Sequence, residues 1–388
     1  MTTNPPATGY ADVGRIQRLL DAGPFDAIVS TWPENTHYLS GFYHPDMRLT
    51  WERLHIVVWP ANGAPPVYVV PAPRADAWNG AGTWAREESR PRIQDIRGYQ
   101  GEHDHMIDVV AEALTGLGIT SGLIGVEHRA TPYKIVEGLR RRLPGLRYGD
   151  AWPLLNEMRR VKTPAEVALL THVNRMTARH LENGLRSIVA GESERAVAAR
   201  VTDALMREGA QELTHSIFGG GCRAGQWHPW PGDQTLEAGM LIRTDWGVRI
   251  DGYCSDIART AVVGTASRAQ RTRFDRISAV HDTIVEAARP GVVARELVHL
   301  ARRAYERQGE EFRWSIVGHG IGLVLHEEPQ LTVEYDEPLV EGMTLEIELG
   351  WTDPAQGFHI EDFVHVGRDE TVNLTTPPGT RVLIESAR

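Results

Sequence analysis

The chain has 388 residues, of which 41% are hydrophobic and 24% charged, a composition ordinary for a globular protein of about two domains. Its net charge of -10 argues against nucleic acids and anionic membranes as partners, because both attract basic surfaces. Two cysteines, Cys222 and Cys254, are too few for a disulfide framework and fit a reducing compartment. The sequence shows neither a secretory signal nor a membrane-spanning apolar run, so we expect a cytoplasmic protein.

Residues 1–155 are predicted to form an α/β domain, because apolar runs typical of buried strands alternate with segments of helical periodicity. The predicted strands cover 26–30, 54–59, 67–70 and 123–127, and the predicted helices cover 105–117 and 132–142. This order predicts a mixed sheet covered by helices.

Residues 156–388 are predicted to form a second domain with an internal pseudo-repeat. The segment Thr163-Pro164-Ala165-Glu166 is a capping box with proline at the first helical position, so it predicts the start of a helix. Two helices followed by strands occur twice, with helices predicted over 163–191, 193–208, 269–289 and 294–308, and strands within 213–263 and 313–367. The fold class is therefore α/β (α+β) in two domains.

Two aspartates lie on one predicted hairpin. Asp251-Gly252 is a strong signal for a two-residue hairpin loop, and this register puts Asp256 opposite Gly247. Asp245 is two residues from Gly247 and points to the same face of the strand. Carboxylates held this close repel each other unless a cation lies between them. Two exposed aspartates on a polar sheet face are the alternative.

The segment Val317–Pro329 contains two histidines, His319 and His326. Glycines on both sides of His319 allow close approach of the backbone, which suits a crowded site. The glycine spacing does not match a dinucleotide-binding fingerprint. Two structural histidines are the alternative, but the flanking glycines favour a functional role for His319.

Acidic residues also interrupt apolar strand sequence further along the chain. Glu346 and Glu348 fall on the same face of one strand, and Glu348 faces Glu361 if the intervening loop centres on Pro354 and Ala355. A carboxylate within an apolar strand is costly to bury unless it is paired or bound to metal. An exposed edge strand is the alternative.

Together these segments supply four carboxylates and one imidazole, from Asp245, Asp256, His319, Glu348 and Glu361. The set is rich in oxygen and has no thiolate, which favours manganese over a structural zinc, with cobalt or zinc as alternatives. Four carboxylates carry enough charge for two divalent ions. Two such ions can lower the pKa of a water molecule and polarise a scissile carbonyl.

The sequence closely resembles the creatinase/prolidase family of pita-bread metallohydrolases over nearly its whole length. The segments that carry the resemblance are Tyr38–Phe42, Met158–Glu166, Gly252–Thr260, His319–Gly322 and His326–Pro329, with the two glutamate segments. The resemblance implies a creatinase-like N-terminal domain, a pita-bread catalytic domain and an Xaa-Pro dipeptidase-like activity.

The resemblance also implies a role for each ligand. Asp256 and Glu361 would bridge two metal ions, and Asp245 would complete one of the two sites. His319 and Glu348 would complete the other site. Glu348 would also accept a proton from the attacking water, which makes it a catalytic residue as well.

Further residues are implicated in catalysis, substrate binding and assembly. By the resemblance, His326 would stabilise the tetrahedral intermediate or bind substrate, and His228 would contact the substrate carbonyl or the leaving nitrogen. Trp227 and His359 are further candidates for substrate binding. The resemblance implies a homodimer in which the segment Tyr43–Trp51 closes the partner's site, with an ordinary surface loop as the alternative.

Three departures from the family pattern concern the substrate and leave the metal ligands unchanged. Leu349 follows Glu348, and Trp227 precedes His228, where the family usually has proline. His359 stands two residues before the last glutamate, where prolidases usually have an arginine that helps to recognise a peptide carboxylate. Histidine is a weaker, pH-dependent substitute for arginine.

Two hydrolase functions therefore remain open. The ligands and His326 favour an Xaa-Pro dipeptidase or related metallopeptidase acting on a C–N bond. The three departures favour a hydrolase of a small non-peptide amide or cyclic amidine, similar to ectoine hydrolase. The intact ligands argue against a metal-free creatinase-like enzyme and a non-catalytic binding module, and a lyase acting on a sulfonium compound is more remote.

Overall fold

A computed structural model of the chain describes residues 10–50, 52–79, 90–101, 103–377 and 379–386. The chain forms two compact units that meet in sequence between Arg159 and Arg160. Within the described ranges, none of the helices combines the length and the apolar character needed to cross a bilayer.

The first unit is built on a mixed sheet. Its strands are β1 (Ala27–Ser30), β2 (Ile56–Pro60), β3 (Val67–Pro71), β4 (Asp95–Tyr99), β5 (Ser121–Val126) and β6 (Gly145–Asp150), in the spatial order β4-β3-β2-β1-β5-β6. Its helices are α1 (Val13–Ala22), α2 (Pro33–Ser40), α3 (Asp46–Leu49), α4 (Ala72–Trp78), α5 (His103–Gly116), α6 (Tyr133–Arg142) and α7 (Trp152–Arg160). Strand β2 pairs antiparallel with β1 and β3, and the remaining pairs are parallel. The expected mixed sheet is confirmed.

The second unit consists of two halves with the same order of elements. The first half contains α8 (Pro164–Arg186), α9 (Glu194–Arg207), β7 (Glu212–Gly220), β8 (Leu241–Ile250), β9 (Tyr253–Cys254) and β10 (Ile257–Val262). The second half contains α10 (Arg268–Ala287), α11 (Ala294–Arg307), β11 (Ile316–Gly320), β12 (Glu327–Thr332), β13 (Thr344–Thr352), β14 (Gly357–Val366) and β15 (Thr371–Asn373). A last strand, β16 (Ile384–Glu385), pairs with β10. The predicted pseudo-repeat is confirmed.

Each half of the second unit packs a helix pair against its own sheet. The first sheet has the order β16-β10-β8-β7, and the second has the order β12-β11-β13-β14-β15. Trp246 on β8 is fully buried in an apolar cluster shared with α8 and α9. A separate apolar cluster joins α10 and α11 to the second sheet. The helices therefore support the strands from one side.

Two hairpins place acidic residues as the sequence predicts. Asp251 and Gly252 form a two-residue loop with φ of 49° and 80°, and the pairing of Arg249 with Cys254 fixes the register. Positive φ at both loop positions is what this tight turn requires. Between β13 and β14, Glu348 pairs with Glu361 as predicted.

Helix α8 begins where predicted and ends earlier than predicted. Thr163 and Glu166 form the expected capping box. The helix ends at Arg186 rather than near Gly191, because the chain turns after Ser187. Gly191 has a φ of 100° and follows this turn.

Two histidines of the first unit are buried, His37 on α2 and His55 before β2. Burial lowers the pKa of each to about 3, and nearby arginines act in the same direction. His55 Nδ1 lies 2.7 Å from the Tyr68 hydroxyl. A histidine that stays neutral in the fold but gains a proton when unfolded destabilises the fold in acid.

We predict that the free energy of unfolding falls by about 2 kcal/mol for each of these histidines between pH 7 and pH 5. Below pH 6.5 the unfolded histidine binds a proton, whereas the folded one does so only near pH 3. Stability is therefore lost as the pH falls through this window. His55→Gln keeps a polar partner for Tyr68 and cannot be protonated, so its pH dependence should be smaller. Urea titrations at the two pH values measure this, and an unchanged pH dependence in His55→Gln would contradict it.

Candidate metal centre

The five residues predicted as metal ligands lie together in the second unit. Asp245 is on β8, and Asp256 lies in the connection between β9 and β10. His319 is on β11, Glu348 is on β13 and Glu361 is on β14. The two sheets of the pseudo-repeat therefore both contribute side chains to one cluster.

The two carboxylate oxygens of Asp256 face different histidines. Its Oδ2 lies 3.7 Å from His319 Nε2, which is also 3.7 Å from Glu361 Oε1. Its Oδ1 lies 3.1 Å from the Nε2 atom of His215. A carboxylate with its two oxygens facing different donor groups has the geometry of a bridging ligand.

The buried carboxylates lack compensating partners and fit divalent cations. Within the described residues, Asp256 Oδ1 and both carboxylate oxygens of Glu361 and Glu346 are buried and accept no hydrogen bond. Burial and the nearby Asp256 raise the pKa values of both Glu361 and Glu346 well above that of an ordinary glutamate. Burial and Asp245 raise the pKa of Asp256 to about 6. A bound cation would neutralise the repulsion among these buried carboxylate oxygens.

The donor groups meet the geometric requirement for metal binding. One group consists of His319, Glu348 and Glu361, and another consists of His215, Asp245 and Asp256. In each group the donor atoms lie within 4.8 Å of one another. The donors are carboxylate oxygens and imidazole nitrogens, which suit manganese, cobalt or zinc.

His215 is a member of this cluster that the sequence analysis missed. Its Nε2 lies 2.8 Å from Asp245 Oδ1. Burial acts to lower the pKa of His215, but Asp245 and Asp256 overcome this and raise it well above its ordinary value. No motif surrounds His215 in the sequence. Only the pairing of His215 with Gly247 between β7 and β8 brings it to the aspartates.

His359 contacts a predicted ligand. Its Nε2 lies 3.2 Å from Glu348 Oε2, and its ring meets the ring of Trp314 edge-on at 4.9 Å. Burial acts to raise the pKa of Glu348, but the hydrogen bond with His359 and the proximity of His319 hold it below its ordinary value. Glu348 is therefore ionised at neutral pH.

The cluster opens into a cavity of about 530 Å³ in the second unit. Four residues expected to act on substrate line this cavity: Trp227, His228, His326 and His359. His326 stacks on His319 with 3.9 Å between ring centroids, and Trp227 stacks on His228 at 4.5 Å. Trp227 is 78% exposed, so it lies at the mouth of the cavity.

Comparison with known proteins identifies the family. Metallopeptidase family M24 matches residues 168–368, and the creatinase/prolidase N-terminal domain matches residues 13–161. YkvY of Bacillus subtilis is 31% identical over 382 residues, which cover 96% of this chain and 100% of YkvY. The chain belongs to metallopeptidase family M24.

Two proteins of Pyrococcus horikoshii are further relatives of this M24 metallopeptidase. An Xaa-Pro dipeptidase is 31% identical over 269 residues, 68% of this chain and 74% of that one. A dipeptidase with a crystal structure is 26% identical in sequence, and its structure matches with a TM-score of 0.81 over 96% of this chain and 99% of that one. The expected family and the expected metal-dependent hydrolase are confirmed, and the family implies divalent metal ions.

We predict that Asp256→Asn in this M24 metallopeptidase weakens the binding of at least one ion by more than about 100-fold. Even residues behind the ligands change metal affinity by about 10–100-fold, and this substitution removes a charge from the cluster itself. Metal analysis after gel filtration and circular dichroism would measure ion content and fold. Asp203→Asn, which alters an exposed aspartate paired with Arg207, is the control and should retain both ions. Full metal content in Asp256→Asn would contradict the assignment of this ligand.

Proposed function

We propose that this M24 metallopeptidase is a manganese-dependent Xaa-Pro dipeptidase. The observation that carries the proposal is a group of buried carboxylates and imidazoles that lines a substrate-sized cavity, in which oxygens of Asp256 and Glu361 accept no hydrogen bond from the described residues. The Xaa-Pro dipeptidase of Pyrococcus horikoshii supports the choice of substrate. A hydrolase of a small amide or cyclic amidine is the second candidate, because His359 replaces the arginine expected from the family resemblance.

The ligands divide between two ions in this proposal. Asp256 and Glu361 would be shared by both ions, Asp245 would hold one, and His319 and Glu348 would hold the other. When bound, the two ions lower the pKa of an attacking water molecule and polarise the scissile carbonyl. The surrounding residues bind and orient the substrate and transfer protons.

Glu348 is the proposed proton acceptor, and two histidines are proposed to contact the substrate. Glu348 is ionised and is held by His359, so it is oriented to receive a proton. Burial, and next His319, lower the pKa of His326 to about 4, so its ring is neutral and able to donate one hydrogen bond to the substrate. His228 lies on the same cavity, where it can meet the leaving nitrogen.

A further residue of the cavity, Arg243, favours a substrate that carries a carboxylate. It lies on β8 two residues before Asp245 and is only 3% exposed. Its Nη1 donates hydrogen bonds to the carbonyls of Ala224 and Gln226 at 3.3 and 3.0 Å. Within the described residues its Nε donates no hydrogen bond, and its guanidinium forms no ion pair.

An unpaired buried guanidinium is costly unless a ligand neutralises it. Asp245 and Glu348 lie near enough to raise the pKa of Arg243, although burial has the larger effect and lowers it. Both of these carboxylates are proposed metal ligands, so their charge is balanced by the ions. We propose that Arg243 binds the substrate's terminal carboxylate in place of the arginine replaced by His359.

We also propose a cytoplasmic homodimer in which the segment Tyr43–Trp51 lies at the partner's site. Leu49 in this segment is 76% exposed, which supports contact with another chain. Arg48 is held by Glu34 at 2.8 Å, so α3 is anchored within its own unit. Trp51 lies outside the described residues.

The substrate proposal predicts that metal-stripped protein regains hydrolysis of Xaa-Pro dipeptides when manganese is restored. Mass spectrometry should follow the dipeptides in parallel with ectoine and N-acylated small amides. Asp256→Asn, prepared in the same way, is the control for contaminating peptidases. Turnover of a small amide or amidine without cleavage of any dipeptide would contradict the dipeptidase and support the second candidate.

The role of Arg243 predicts a difference between two matched substrates, Ala-Pro and its C-terminal amide. In Arg243→Gln, kcat/KM for Ala-Pro should fall by about 100-fold, in line with the loss of one partner of a buried charge pair. The value for the amide should change little, so the preference for the free carboxylate disappears. Arg313→Gln, which alters an exposed arginine on the same cavity, should keep the preference. Equal losses on both substrates would mean that Arg243 only holds the backbone at Ala224 and Gln226.

A further inference from the structure

The imidazole of His215 lies against two of the proposed metal ligands. Its Nε2 is 2.8 Å from Asp245 Oδ1 and 3.1 Å from Asp256 Oδ1. The Asp256 oxygen is buried and accepts no hydrogen bond in the described part of the chain. The contact between His215 and Asp256 is therefore close without having the geometry of a hydrogen bond.

These distances match those between neighbouring ligands of one metal ion. Nitrogen and oxygen ligands lie about 2.0–2.2 Å from a divalent ion, so two ligands at right angles are about 3 Å apart. A single imidazole N–H forms its hydrogen bond with one aspartate oxygen, so without metal the approach to the second rests on electrostatic attraction alone. A metal ion explains why His215 approaches Asp245 and Asp256 together.

The pseudo-repeat gives His215 a counterpart. His215 is on β7, the first strand of the first half, and His319 is on β11, the first strand of the second half. In sequence, Asp245 lies 30 positions after His215, and Glu348 lies 29 positions after His319. With His215 included, each half supplies one imidazole and two carboxylates to the cluster.

The local backbone leaves room for this ring. Gly247 pairs with His215 across β7 and β8, and a Cβ at position 247 would lie 2.5 Å from His215 Cε1. Glycine at 247 therefore allows the imidazole to reach the aspartates. His215 Nδ1 lies 3.0 Å from Thr214 Oγ1, which can accept the Nδ1 proton and leave Nε2 free to bind metal.

We infer that His215 is a sixth protein ligand of the metal centre and binds, through Nε2, the ion that Asp245 holds. This inference rests on the dinuclear centre proposed above. Each ion then has one nitrogen ligand among its carboxylates, His215 on one side and His319 on the other. An added imidazole strengthens binding of cobalt and zinc relative to a site made of oxygen alone.

Calorimetric titration of the metal-free full-length protein with Mn²⁺ tests this ligand. Wild type should bind two ions, and His215→Gln should bind one of them at least about 10-fold more weakly. His215→Ala should behave in the same way, and thermal unfolding of the metal-free proteins checks that each variant is folded. His228→Gln, which alters a cavity histidine outside the ligand set, should bind both ions within about twofold of wild type.

The possible failures are distinguishable. Two ions bound by His215→Gln with wild-type affinity would overturn the role of His215 and leave the dinuclear centre intact. Fewer than two ions bound by wild type would overturn the dinuclear centre itself. In manganese-loaded crystals, anomalous scattering should place an ion about 2.0–2.3 Å from His215 Nε2. An ion more than about 3 Å from that atom would overturn direct ligation.

Discussion

Mutual repulsion among buried carboxylates is the constraint on which the second unit depends. Asp245, Asp256, Glu348 and Glu361 converge from two sheets in surroundings that largely exclude water. Such a group is costly unless cations neutralise it, and it requires that the strands behind it cannot move apart. The helix pairs and their apolar clusters provide that support from the opposite faces of the strands.

In strand β14, successive side chains point to opposite faces, and this separates two neighbouring buried carboxylates. Glu361 points to the cluster of carboxylates and imidazoles, whereas the adjacent Asp362 points to the other face of the strand. There Asp362 pairs with Arg259 at 3.1 Å and also with Arg381. Burial acts to raise the pKa of Asp362, but the two arginines overcome it and hold the pKa below the ordinary range. Asp362 is thus neutralised by protein cations, whereas the carboxylate oxygens of Glu361 accept no hydrogen bond from the described residues.

Glycine at three positions permits the close approach of strands around the site. A Cβ on Gly318 would lie 2.1 Å from the carbonyl oxygen of Glu346, and one on Gly320 would lie 2.5 Å from that of Glu328. Strand β11 therefore fits between β12 and β13 only with these residues on either side of His319. Gly247 has the same effect beside His215.

Short-range sequence signals predicted much of this architecture. The Asp251-Gly252 loop and the pairing of Glu348 with Glu361 depend on residues at most 13 positions apart, where turn chemistry and strand alternation are decisive. His215 and Arg243 were missed because their positions depend on the pairing of β7 with β8. That register contains an irregularity between Leu213 and His215, and residue patterns do not predict such a shift. The identity of the substrate depends on the shape and charge of a cavity, which no local pattern encodes.

The proposed ligands are divided between the two halves, and this division has a consequence for metal binding during biosynthesis. His215, Asp245 and Asp256 come from one half, whereas His319, Glu348 and Glu361 come from the other. A nascent chain that has completed only the first half therefore offers three donors and no partner group. In zinc fingers, by contrast, the ligands lie close in sequence and the metal drives folding. If these residues are the ligands, the complete donor set exists only after both halves have folded together, so full metal binding would follow folding.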